Sequence, residues 1–214
     1  MINKGLKQNV LDELAWEPGL NAAHVGVTAR DGVVTLSGHV ESFAEKCLAE
    51  HAVGCVSGVR AIVMQLQIHY TANPALDDDI ARQAISVLAW DLCVPKDKVN
   101  VKITQGWVTL SGEVEWHFQE RAAEADIGKL FGVTGVSNDI VINPRVQVSD
   151  IEKSINRAFR RNAEFAAENI VVTADGSAVT LTGQVDSYYG RTLASETAWS
   201  APGVTQVYDL LTIG

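Results

Sequence analysis

No apolar run in this chain of 214 residues approaches the ~20 that a helical membrane span needs. Its opening, Met1-Ile2-Asn3-Lys4-Gly5-Leu6-Lys7-Gln8, shows no secretory hydrophobic segment and leads straight into a helical pattern. The expectation is a cytoplasmic protein as written, or a periplasmic one if a leader was removed. Basic residues are scarce: 17 Lys and Arg stand against 26 Asp and Glu, a net charge of −9. Clustered Lys and Arg drive binding to phosphate backbones, so this balance argues against nucleic acid as a partner. It weakens attraction to an anionic membrane without abolishing it. The cysteines, Cys47, Cys55 and Cys93, are odd in number and follow no paired pattern, which fits free thiols rather than a disulfide framework.

Catalytic motifs are missing too. There is no P-loop, no dinucleotide fingerprint and no Gly-x-Ser-x-Gly. The Gly-Val-Thr-Gly at Gly132 to Gly135 reads as a helix-to-strand turn, without the strand-before-helix context that phosphate binding requires. His24, His39, His51, His69 and His117 fall in different elements with no zinc-type spacing. Cys47 and His51 stand four apart on a predicted helix, but no second pair of ligands accompanies them. The reading is a non-enzyme with no metal and no cofactor.

What the chain does have is one stretch written three times. Val34-Thr35-Leu36-Ser37-Gly38-His39-Val40 returns as Val108-Thr109-Leu110-Ser111-Gly112-Glu113-Val114 and as Val179-Thr180-Leu181-Thr182-Gly183-Gln184-Val185. Strict apolar/polar alternation marks a half-buried strand. The glycines Gly38, Gly112 and Gly183 fall on its apolar side, where they are expected to let a helix lie directly on the sheet. Successive copies are spaced by 74 and 71 residues, and a second glycine follows each by 20, at Gly58, Gly132 and Gly203. Such a period is the signature of a repeat.

Around each copy the pattern predicts the order helix, strand, strand, helix, strand. Leu6, Val10, Leu11 and Leu14 make an amphipathic helix, and Asp31-Gly32 reads as a hairpin turn. Ser42-Phe43-Ala44-Glu45 fits a capping box, while Ile62, Met64, Leu66 and Ile68 alternate as the last strand. Asp77 to Asp79 read as an N-cap with favourable charge at a helix start. In the third copy Gly176 comes one place earlier, a change expected to be local. The fold class is α+β: three tandem αββαβ modules, at 1–70, 76–144 and 147–214, each a three-stranded sheet with two helices on one face.

In Leu14 to Glu17, Leu88 to Asp91, the Val-Thr-Leu-Ser-Gly strand, and the steps Gly58-Val59, Gly132-Val133 and Gly203-Val204, the chain resembles the BON family. That family is named for bacterial osmotically inducible and nodulation proteins. The resemblance covers nearly the whole chain, three times over. It departs where Arg160-Arg161 replace Ala-Trp, and where Met64 stands in place of Asn138 and Asp209. It implies a binding protein of envelope or osmotic stress that associates with phospholipid surfaces or an envelope protein. Alternatives are a potassium-type cation sensor and a chaperone-like structural module that self-associates as a homo-oligomer. The candidate anionic-lipid or partner surface is the basic stripe Lys153, Arg157, Arg160 and Arg161, opposite Ile151, Ile155 and Phe159. Trp107, on the polar side of its strand, is a second candidate, read either as an anchor or as a cover for the open sheet back between modules.

Overall fold

A computed structural model describes residues 4–69, 76–144, 150–161 and 170–214. The linker sequence Asn73-Pro74 lies outside them, whereas Asn143-Pro144, the joint between the second and third modules, lies within them just after the last strand of the second module. Module 1 holds α1 (Lys4–Trp16), a short 3-10 turn (Ala22–His24), β1 (Val25–Arg30), β2 (Val33–Val40), α2 (Phe43–Cys55) and β3 (Ala61–Ile68). Module 2 repeats the order with α3 (Asp77–Trp90), β4 (Val99–Thr104), β5 (Trp107–Val114), α4 (His117–Gly128) and β6 (Gly135–Ile142). Module 3 has α5 (Ile151–Arg161), β7 (Ile170–Asp175), β8 (Ala178–Val185), α6 (Tyr188–Trp199) and β9 (Gln206–Ile213).

The repeated stretch is the middle strand of every sheet. β2 pairs antiparallel with β1 and parallel with β3, and the other two sheets copy this register. An antiparallel neighbour needs only a two-residue turn, whereas a parallel one needs a crossover, which the second helix supplies. Asp31 and Gly32 take φ of 51° and 82°, and Gln105 and Gly106 take 54° and 76°, as a type I′ hairpin requires at both central positions. In module 3 the left-handed residue is Gly176, at φ 60°, and the ladder behind it keeps the common register. The early glycine changes the turn alone. Leu36, Leu110 and Leu181 are fully buried beneath the helices, one at the centre of each module's core.

The role assigned to Gly38, Gly112 and Gly183 is corrected by the structure. No helix rests on them: Gly38 and Gly183 are exposed and Gly112 is half-buried. All three take left-handed backbone, with φ of 110°, 135° and 122°. A Cβ on Gly38 would collide with the His24 carbonyl oxygen, and one on Gly112 with that of Lys98. Glycine is needed for its backbone angle and for the carbonyl that comes up to it where the neighbouring strand begins. Gly58, Gly132 and Gly203, at φ 88°, 92° and 87°, lie in the turn after the second helix.

Two of the capping expectations shift. Ser42 Oγ accepts from the Glu45 amide at 3.1 Å, but the Glu45 carboxylate reaches the Glu41 amide at 3.5 Å, one residue before the cap. Leu76 is the N-cap of α3 and makes no side-chain cap bond. Asp77 instead accepts from the Gln105 and Gly106 amides, both at 2.8 Å, and Asp79 pairs with Arg82. The hairpin turn offers two converging N–H groups within reach of Asp77, and a carboxylate takes both. The acidic first turn still suits the positive end of the helix.

In modules 2 and 3 the last strand bonds to the second helix through Asn138 and Asp209, at the position that Met64 holds in module 1. Asp209 accepts from Arg191 Nε at 2.8 Å and from the Leu211 amide at 3.0 Å. Asn138 donates to Glu124 at 3.2 Å, while Met64 packs on the core. Asp209→Ala is expected to lower stability by about 1–2 kcal/mol, seen as a fall in the urea midpoint at constant slope.

The modules join through their second helices. Phe43, opening α2, packs on Gly128, closing α4, with 3.4 Å from its ring to where a Cβ would stand. His117, opening α4, stacks on Trp199, closing α6, with centroids 4.3 Å apart and planes 19° apart. Tyr188, opening α6, lies 3.1 Å from the Cβ position of Gly54, near the end of α2. Phe43, His117 and Tyr188 are equivalent in the repeat frame, as are Gly54, Gly128 and Trp199. Three equivalent head-to-tail contacts that return to their start define a pseudo-threefold ring. Arg60 adds a tie from module 1 to module 3, donating to the Ile213 carbonyl at 3.1 Å.

Candidate functional site: the helix-end surface

The first helix of each module ends on a residue pointing away from the core. α1 buries Leu6, Val10 and Leu14, α3 buries Ile80, Ala84 and Leu88, and α5 buries Ile151, Ile155 and Phe159. The residue two places beyond the last buried one lies about 200° round the helix, facing solvent. These residues are Trp16, Trp90 and Arg161. Trp16 is 84% exposed and Trp90 83%, and Leu92 beside Trp90 is 100% exposed. Equivalent positions in a pseudo-threefold ring lie at one height along its axis, so the two tryptophans and Arg161 belong to one rim. Beside Trp90 a groove of about 490 Å³ runs between α3 and β4, lined by Ile85, Leu88, Ala89, Val94 and Val101 together with the polar Lys96, Asp97 and Asn100.

The basic stripe is on the predicted face, and Ile151, Ile155 and Phe159 are buried behind it. Lys153 is engaged with Asp150 at 3.1 Å, and Arg157 Nε donates to the Lys153 carbonyl at 3.3 Å. Arg160 and Arg161 are exposed. Trp107 belongs to another module and is 49% exposed. Its indole lies flat over Gly135 on the adjacent strand, and its Nε1 donates to Ser137 Oγ at 2.9 Å. It covers the open back of its own sheet, filling the place that glycine leaves without a side chain.

No thiol carries the signature of a nucleophile, which needs a depressed pKa. Burial, then the Glu50 and Glu124 carboxylates, pushes the Cys47 thiol up. Burial and Glu13 do the same at Cys55. The Asp91 carboxylate, hydrogen-bonded to Cys93, pushes that thiol up. His51 is in contact with Cys55, Sγ to Nε2 at 3.9 Å, rather than with the Cys47 that its sequence spacing suggested. Asp91 is held low by the Cys93 amide, and burial with the nearby Asp91 raises Asp126.

Sequence reasoning named the stripe and Trp107 but passed over Trp16, Trp90 and Leu92. The available signal was the spacing of Trp16 and Trp90 from the last buried leucine. It also missed the contacts of His39 with His24 and His69, because their sequence separations hide a shared sheet end.

No helix among the described residues is long and apolar enough to cross a membrane. The sequence profile described as "BON domain" matches residues 3–70, 76–144 and 147–214. Osmotically-inducible protein Y of Escherichia coli (strain K12) is 28% identical over 149 residues, which cover 65% of this chain and 72% of that protein. Among solved structures, CdsD, a structural protein of the type III secretion system of Chlamydia trachomatis, matches at 16% identity and a TM-score of 0.26, over 97% of this chain and 91% of that one. The C-terminal domain of CdsD matches at 15% identity and a TM-score of 0.26, over 100% of both chains.

Proposed function

Because the chain belongs to the BON family, we propose that it is a non-enzymatic, osmotic-stress-related binding protein that docks on phospholipid surfaces by the helix-end rim of its ring. The observation carrying this reading is the exposure of Trp16 and Trp90, 84% and 83%, at equivalent places. Solvent-facing indoles are costly unless they meet an interface, and tryptophan partitions to the headgroup level, where its ring is buried and its N–H stays wet. Leu92 and the groove beside Trp90 add apolar area to the same rim. Arg157, Arg160 and Arg161 supply an attraction for anionic headgroups that the net charge of −9 keeps secondary.

The two contributions separate in a vesicle co-sedimentation assay. Trp16→Ala/Trp90→Ala is expected to lower partitioning at least tenfold on neutral phosphatidylcholine and on phosphatidylglycerol-containing vesicles alike. Arg157→Glu/Arg161→Glu is expected to reduce only the anionic increment, which moderate salt also screens. Unchanged partitioning of the double tryptophan variant would rule the rim out as the docking face.

A further inference from the structure

The joint between modules 3 and 1 is tied by an arginine that the other two joints lack. Arg60 follows α2, and its side chain runs over the β1–β2 turn, where a Cβ on Gly32 would stand 2.7 Å from its Cδ. Its guanidinium then donates from Nη2 to the Ile213 carbonyl at the end of β9, at 3.1 Å. In the repeat frame the counterparts of Arg60 are Thr134 and Thr205, and those of Ile213 are Ile68 and Ile142. A threonine stops short of such a carbonyl. Thr205 Oγ1 instead shares a hydrogen bond of 2.7 Å with Ser177 Oγ, on the residue that takes the place of Gly32.

At the joint between modules 2 and 3 that place opens into a crevice of about 790 Å³. Ile142 and Thr205 both line it, with Ser177, Asn143, Trp199 and Glu120. Glu120 is the one charged side chain among the described residues of its lining, and it inverts the sign of its counterparts, Lys46 and Arg191. Its carboxylate is 17% exposed, with Oε2 at 3.0 Å from His117 Nδ1, and a carboxylate accepts more than that one bond. The end of β6 adds an apolar wall. A lone carboxylate repels anions. Together with hydroxyls, a carbonyl and an indole it suits a guanidinium, whose fork of N–H donors bonds to oxygen and whose plane is attracted to aromatic rings. The volume lies within the roughly 300–1,000 Å³ of small-molecule sites, which favour the seams between domains. It leaves room for an alkyl stem behind the cationic head.

We propose that the crevice between modules 2 and 3 binds a small alkylguanidinium ligand, whose head takes the place that Arg60 fills at the joint between modules 3 and 1. Glu120, the Ile142 carbonyl and the hydroxyls of Ser177 and Thr205 are the groups that receive it. The test titrates n-butylguanidinium chloride into the full chain, with n-butylurea as the uncharged isostere. Binding is followed by calorimetry and by the amide and indole nitrogen–proton resonances. Saturable binding is expected to shift the Ser177, Thr205 and Trp199 signals together, with butylurea at least tenfold weaker. Glu120→Gln is expected to weaken butylguanidinium at least tenfold and to leave butylurea unchanged. Thr205→Arg, which installs the residue that module 1 carries, is expected to abolish binding and to raise Tm, because a tethered head then occupies the site. No saturable shift at the three residues, equal affinity for butylurea, or unchanged affinity in Glu120→Gln or in folded Thr205→Arg would each overturn the proposal. None of these outcomes bears on the vesicle assay.

Discussion

Gly112→Ala is expected to cost about 3 kcal/mol or more, lowering Tm by roughly 6–12 °C for a chain of this size. Two effects add. At φ 135° a residue bearing a Cβ is strained before any contact is considered. That Cβ is then driven into the Lys98 carbonyl oxygen, a backbone atom that moves only if β4 shifts against β5. Gly38→Ala is expected to behave alike, against the His24 carbonyl. Gly176→Ala is the control, because nothing lies within 4 Å of a Cβ there and only its φ of 60° opposes the substitution; about 1 kcal/mol is expected. Thermal unfolding of the three variants decides the matter. If Gly112→Ala melts within the error of Gly176→Ala, the carbonyl approach is not what selects the glycine.

Trp199→Ala is expected to cost about 2–4 kcal/mol and to change the form of the transition as well as its position. Trp199 packs on the cores of modules 2 and 3 together and carries the stack with His117. Removing it opens a gap between two bodies of about 70 residues, each of which is marginal at that size. Calorimetry is expected to resolve the single transition into overlapping ones, the van't Hoff enthalpy dropping below the calorimetric enthalpy. His117→Ala, which loses only the aromatic pairing and its 3.0 Å contact with Glu120, is expected to cost about 1 kcal/mol. A Trp199→Ala protein that melts in one step at the original temperature would show that modules 2 and 3 are not coupled through this contact.

Periodicity made the modules legible, because alternation and the 3.6-residue stripe are properties of single elements. The buried set Val34, Leu36 and Val40, with its counterparts, is where alternation puts it. The glycine that completes the alternation was misjudged for a related reason. Parity says which side of a strand a residue occupies, but not that its backbone has turned left-handed where the neighbouring strand starts. Asp77 was misjudged because its hydrogen-bond donors, the Gln105 and Gly106 amides, are remote in sequence. The histidine contacts and the Phe43–Gly128, His117–Trp199 and Tyr188–Gly54 contacts share that difficulty. Each joins residues whose adjacency is created by tertiary packing, although the repeat frame shows afterwards that the inter-module contacts are equivalent. The tryptophans of the rim were within reach, since helix phase alone turns Trp16 and Trp90 outward.

The Phe43, His117 and Tyr188 contacts are directional: every second helix has a giving end and a receiving end. With three modules all six ends are consumed inside one polypeptide, so its exterior offers neither valence to another copy. Cutting away the third module would free one end of each kind. Such a two-module fragment is expected to seek closure through a neighbour, and mass measured against concentration would reveal it.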